Sequence, residues 1–122
     1  MYNRAANVYR KVYADSAPPA RVLDELLGAL LDDFRGAAAC IAAGDFAGKG
    51  RHVSRALAIL GELDAALDRR AAPELTRNLS ALYDFTRDRV VKANLKMDAA
   101  PLGEAERVIA PLRDAFQQAA RR

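Results

Sequence analysis

Four long stretches of this chain repeat apolar residues at steps of three and four, and each begins or ends at a proline or glycine. After Pro18-Pro19 come Leu23, Leu27, Leu30, Phe34, Ala37 and Ile41. Gly44 suits a helix C-terminus and Asp45 an N-cap for the next helix. A second seam runs Val53, Ala56, Leu60, Leu63, Leu67 and is expected to end near Asp68-Arg69-Arg70. A third opens at Pro73 and runs Leu75, Leu79, Leu82, Val90, Ala93, Met97, with Thr86 where an apolar residue is expected. A fourth follows Asp98-Ala99-Ala100-Pro101 through Leu102, Ala105, Ile109, Leu112, Phe116 and Ala119. Such seams are helical, and strands, with their period of two, do not produce them. Pro111 lies inside the fourth and predicts a kink or break.

Helices of this length span about 30–39 Å at 1.5 Å per residue. The connections at 43–45, 69–73 and 98–101 are too short for a crossover. The expected fold is therefore all-α, an antiparallel up-down four-helix bundle. Residues 18–122 form it as one domain. Residues 1–17 add a short N-terminal helix or mobile segment. Tyr2, Ala5, Ala6, Tyr9, Val12 and Tyr13 sit there at helical spacing, on a piece too short to be stable alone. It docks on the bundle, docks on a partner or stays mobile.

With 19 basic and 16 acidic residues the net charge is +3, and the signs are interspersed. That argues against a nucleic-acid binder, which gathers its basic residues on one face. The lone Cys40 excludes an internal disulfide and fits a reducing compartment. Residues 36–44 are far too short to span a bilayer, and the N-terminus has no secretory h-region. The expectation is a cytoplasmic protein with no membrane insertion.

Chemical machinery is not legible. The single histidine, His52, has Lys49 three residues before it, not the glutamate of a Glu-x-x-His metal pair. Cys40 and His52 alone fall two ligands short of a zinc site. Cys40 reads as a small residue packed in a helix, and His52 as a surface or groove-edge side chain. The glycines at 44, 48 and 50 lack phosphate-loop spacing and a preceding strand. No enzyme, cofactor or metal is expected.

The second and third seams carry more apolar residues than one stripe holds. Ile59, Ala66, Tyr83, Phe85 and Val91 cannot all face one central seam. They flank the core, form a homodimer interface or line a groove for a partner.

Several stretches together resemble the FliS family of flagellin export chaperones. Met1-Tyr2 followed by Ala6-Asn7-Val8-Tyr9 is similar to the family's opening, and Ala17-Pro18-Pro19 stands where its Ala-Ser-Pro precedes the first long helix. Val53-x-x-Ala56-x-x-Ile59-Leu60-x-Glu62-Leu63-x-x-x-Leu67-Asp68 matches the family's second helix. Leu75-x-x-Asn78-Leu79-x-x-Leu82-Tyr83-Asp84-Phe85 and Arg89-Val90-Val91-x-Ala93-Asn94-x-x-x-Asp98 match its third. There are departures. Leu26-Leu27-Gly28-Ala29 lacks the family's aromatic and acidic residues, Phe116 replaces a tryptophan, and Pro111 is not a family feature.

The resemblance implies a cytoplasmic chaperone that binds the disordered C-terminal segment of flagellin, prevents polymerisation and delivers it to the flagellar type III secretion apparatus. FlhA is its implied docking partner there. It tips the surplus apolar residues toward a partner groove. Ala56, Ile59, Leu63, Leu79, Leu82 and Tyr83 are the expected groove or groove-supporting positions. Asn78 and Asn94 are the expected polar fixings, and Tyr2, Tyr9 and Tyr13 are groove occupants from the N-terminal segment that move when flagellin arrives. The alternative is a structural helical-bundle adaptor that binds another amphipathic helix or itself.

Overall fold

The computed structural model describes residues 11–13 and 19–120. Four helices follow in order: α1 (Ala20–Ala43), α2 (Phe46–Ala65), α3 (Pro73–Lys96) and α4 (Ala100–Ala120). Their ends have local causes. The Pro19 carbonyl accepts the Val22 and Leu23 amides at 2.9 and 3.1 Å, starting α1. Gly44 closes it at φ 73°, the left-handed region where a glycine carries no Cβ penalty. Asp45 caps α2, its carboxylate accepting the Gly48 amide at 2.9 Å. Pro73 occupies the first turn of α3, where a missing N–H costs nothing. Met97 ends α3 at φ 51°, a left-handed conformation that a side chain strains.

Cross-helix pairs fix the directions. Asp33 meets His52 and Arg55 while Cys40 lies against Gly48, so α1 and α2 run antiparallel. Asp24 meets Arg113 while Arg35 meets Glu106, which orients α4 against α1. Asp64 takes a hydrogen bond from Ser80 at 2.7 Å, and the Lys49 ammonium reaches the Asn94 carbonyl at 3.2 Å, orienting α3 against α2. Arg89 meets Glu104 at 3.5 Å between α3 and α4. Each helix packs on the two beside it, α1 most extensively. The result is the expected up-down bundle, its core formed by residues such as Leu27, Phe34, Leu60, Val90, Ile109 and Phe116, all sealed from solvent.

Two expectations about elements need correction. α2 stops at Ala65, not near residues 68–70. Leu67 leaves the helix to pair with Tyr13 as an antiparallel bridge, and the Asp68 amide donates to the Val12 carbonyl at 2.7 Å. Those bonds and the burial of Leu67 replace the last helical turn. α4 runs unbroken across Pro111. Pro111 is exposed, so the carbonyl it leaves without a helical donor belongs to the solvent-facing Arg107. Ile109 and Phe116, buried on either side, hold the helix together.

Val12 and Tyr13 are buried against the bundle. The Tyr13 hydroxyl bonds that of Tyr83 at 2.7 Å, and its ring meets Phe116 edge-on at 5.7 Å between centroids. The expected roles of Tyr2 and Tyr9 fall outside the described residues.

Candidate interaction face on α3

The inward side of α3 is not the leucine seam its sequence suggests. Thr76, Leu79, Tyr83, Thr86, Val90 and Ala93 face the core, while Leu75 and Leu82 turn outward. The threonines tolerate burial because each hydroxyl donates to a carbonyl one turn back: Thr76 to Ala72 at 2.9 Å, Thr86 to Leu82 at 2.8 Å. Tyr83 is sealed with its hydroxyl on Tyr13. Burial, and then the neighbouring Tyr13, raise its pKa far above the ordinary phenol value.

This phase leaves large apolar side chains outside. Six are exposed among the described residues, and five of them stand on α3: Leu75, Leu82, Phe85, Val91 and Leu95; the sixth is Phe46. Leu75, Leu82 and Phe85 share one flank, with the exposed Asn78 among them. The Arg89 guanidinium sits 5.4 Å from the Phe85 ring and binds the Asp88 carboxylate. That hydrogen bond holds Asp88 below the usual carboxylate range and raises Arg89. On the other flank a hollow of about 450 Å³ opens between α3 and the α2–α3 connection, lined by residues including Arg69, Ser80, Ala81 and Asp84.

The residues expected at a groove are dispersed. Ala56, Leu63 and Tyr83 are fully buried in the monomer, and Leu79 nearly so. Ile59 is half-buried against the core of α2. Asn94 is half-buried and contributes its backbone carbonyl to Lys49. Asn78 and Leu82 alone reach the exposed face of α3; Tyr9 lies outside the described residues. Leu75 and Leu95 were not among the expected contacts. Leu75 looked like core, and Leu95 had only its spacing of four from Val91 to mark it.

The charged network of α1 and α2 also escaped the sequence reading. Asp33 is 5% exposed and accepts from His52 Nδ1 at 2.9 Å and Arg55 Nε at 3.2 Å. Gly36 leaves the space in which the His52 ring lies. Cys40 is half-buried, its thiol 3.8 Å from the Asp45 carboxylate. Among the described residues no group of acidic, histidine or cysteine side chains is arranged to hold a metal ion, and no helix is long and apolar enough to cross a membrane.

Apolar side chains concentrated on one outward helix of a four-helix bundle are the kind of surface on which an amphipathic partner helix can dock. Comparison makes this specific. The family model for flagellar protein FliS matches residues 1–122, and the chain belongs to the FliS family of flagellar secretion chaperones. The flagellar secretion chaperone FliS of Bacillus subtilis (strain 168) is 32% identical over 111 residues, covering 91% of this chain and 82% of its own. That of Salmonella typhimurium (strain LT2) is 32% identical over 104 residues, covering 84% and 77%. That of Vibrio cholerae is 27% identical over 114 residues, covering 90% and 84%.

Proposed function

We propose that this chain is a cytoplasmic, non-enzymatic export chaperone that holds the disordered C-terminal segment of flagellin and hands it to the flagellar type III secretion apparatus, with FlhA as the docking protein there. The observation that carries the reading is the concentration of exposed large apolar side chains on α3. A disordered client segment with apolar residues at helical spacing gains free energy by folding against such a face, at about 25 cal/mol per Å² of apolar surface removed from water. Ordering the segment offsets much of that gain, which keeps the complex releasable. No nucleotide is required, since binding energy alone covers the surface through which flagellin subunits would join.

In this reading Leu82 and Asn78 touch the client. Leu79, Tyr83, Ala56 and Leu63 support the face from beneath, and Ile59 and Asn94 lie at its margins. Tyr9 and the residues ahead of Lys11 act as a strap that makes way for the client. Val12 and Tyr13 are its anchor on the bundle.

The test is calorimetric titration of a flagellin C-terminal peptide into the full chain. Saturable binding is expected, with Leu82→Asp and Phe85→Asp each weakening it at least about tenfold, as loss of a hot spot does, while circular dichroism stays helical. Wild-type affinity in both variants would remove α3 as the client face. No binding by the native chain would leave a bundle adaptor for some other helix. Deleting residues 2–10, which spares the buried Val12 and Tyr13, should change the peptide affinity; an unchanged dissociation constant with an intact bundle would reject the strap.

A further inference from the structure

The exposed apolar side chains of α3 do not all share one face. Leu75, Leu82 and Phe85 stand on the flank next to α4, to which the following turn is tied by Arg89 and Glu104. Val91 lies about two and a half turns beyond Leu82, and so on the opposite flank, with Leu95 one turn further on. That flank adjoins α2: the Lys49 ammonium donates to the Asn94 carbonyl at 3.2 Å and reaches the Met97 sulfur, also at 3.2 Å. The same ammonium lies 5.7 Å from the centre of the Phe46 ring, so it draws the start of α2 onto the end of α3. Phe46 and Leu95 are the most exposed large apolar side chains among the described residues, at 67% and 76%. A hollow of about 230 Å³, large enough to take an apolar side chain, is lined by Val91 and Leu95 and rimmed by Asp88, Lys92 and Lys96.

Charge narrows what can sit there. Lys49, Lys92 and Lys96 stand around these apolar groups, and the carboxylates nearby are already engaged within the chain. Asp45 accepts the Gly48 amide at 2.9 Å, Asp98 accepts the Ala100 amide at 3.0 Å, and Asp88 is bound by Arg89. Lys92 and Lys96 are exposed, one turn apart, and neither takes part in an ion pair among the described residues. From this pairing of bare apolar side chains with uncommitted cations we propose that the corner where α2 begins and α3 ends is a second docking surface, whose occupant is an acidic amphipathic helix of another protein. An apolar side chain of that helix enters beside Val91 and Leu95, and its carboxylates, at steps of three or four, meet Lys92 and Lys96. A basic helix is repelled by the same ammonium groups. Because the corner and the Leu82–Phe85 face lie on different flanks of α3, the acidic partner and the client bind at the same time.

NMR titration of the isotope-labelled full chain, without client, tests this, and its outcome is independent of whether flagellin binds. The probe is a short helical peptide of leucine, alanine and glutamate, its glutamates at helical spacing beside the leucines. Saturable amide shifts are expected at Phe46, Val91 and Leu95, with a dissociation constant below about 1 mM, the weak end of specific association. A version with lysine for glutamate should bind at least about tenfold more weakly. Leu95→Asp, and the pair Lys92→Glu/Lys96→Glu, should each weaken the glutamate peptide at least about tenfold while keeping native helix content, since all three positions are exposed. Leu82→Asp should leave its binding unchanged. A peptide that fails to saturate, shifts confined to Leu75, Leu82 and Phe85, equal binding of the lysine version, or variants that bind as the native chain does would overturn the proposal. Retention of the chain on phosphatidylglycerol vesicles through Lys92 and Lys96, without peptide binding, would assign the corner to a membrane surface and overturn it too.

Discussion

A methyl group on Gly36 would meet the His52 ring, which already lies across that glycine to reach Asp33. Gly36→Ala should therefore displace the imidazole and destabilise the bundle by about 1 kcal/mol, the crowding outweighing the better helix propensity of alanine. In a His52→Ala background the same change should instead stabilise, by up to about 1 kcal/mol. Urea unfolding of the four proteins measures this reversal. Tyr83 supplies a second residue-scale prediction. Its buried phenol has a raised pKa, so the folded chain holds that proton more tightly than the unfolded chain does. The stability this gives is complete below the ordinary phenol value of 10.0 and is lost as pH climbs above it. The Tyr83 share of the loss approaches about 1.4 kcal/mol per pH unit. Tyr83→Phe should cost about 1 kcal/mol at neutral pH and flatten the alkaline decline, both read from denaturant midpoints across pH.

Helix ends and helix faces differed in how well they could be read. Pro18-Pro19, Gly44-Asp45 and Pro73 mark their boundaries because φ restriction and capping are properties of one or two residues. The seam expected on α3 holds at Leu79, Thr86, Val90 and Ala93 and is off by one position at Leu75 and Leu82, where Thr76 and Tyr83 are buried instead. Leu75 and Leu82 are more apolar than Thr76 and Thr86, yet each threonine bonds a carbonyl within its own helix and can be buried cheaply. The candidate site was legible only in part for the same reason. The surplus of apolar residues was visible, but which of them the core takes depends on Tyr13 meeting Tyr83 across 70 positions of sequence. The early end of α2 depends likewise on Val12 and Tyr13. Two substitutions test the element-level account. Pro111→Ala restores a helical hydrogen bond at an exposed site and should stabilise the chain by about 1–3 kcal/mol. Met97→Gly relieves the left-handed end of α3 and should add about 1 kcal/mol. Thermal unfolding monitored at the helical band reads both.

At the scale of the molecule, the bundle divides its labour between opposite helices. α1 buries Leu23, Leu27, Leu30, Leu31 and Phe34 and packs most extensively on its neighbours. α3 places fewer large side chains inside and, among the described residues, carries most of the exposed large apolar ones. Val12 and Tyr13 are part of the bundle's core, so the segment at residues 11–13 is expected to unfold together with it. Tyr13→Ala should cost about 3–5 kcal/mol, the usual loss for a large aromatic truncated in a core, and should lower the urea midpoint of the whole chain in a single transition. A separate early transition would mean that the segment is an independent appendage.

Because nearly everything outward on α3 is dispensable to the interior, its surface letters can be rewritten while the scaffold underneath stays fixed. A lineage, or a designer, wanting the same rod to grip a different cargo need edit only one side of one helix.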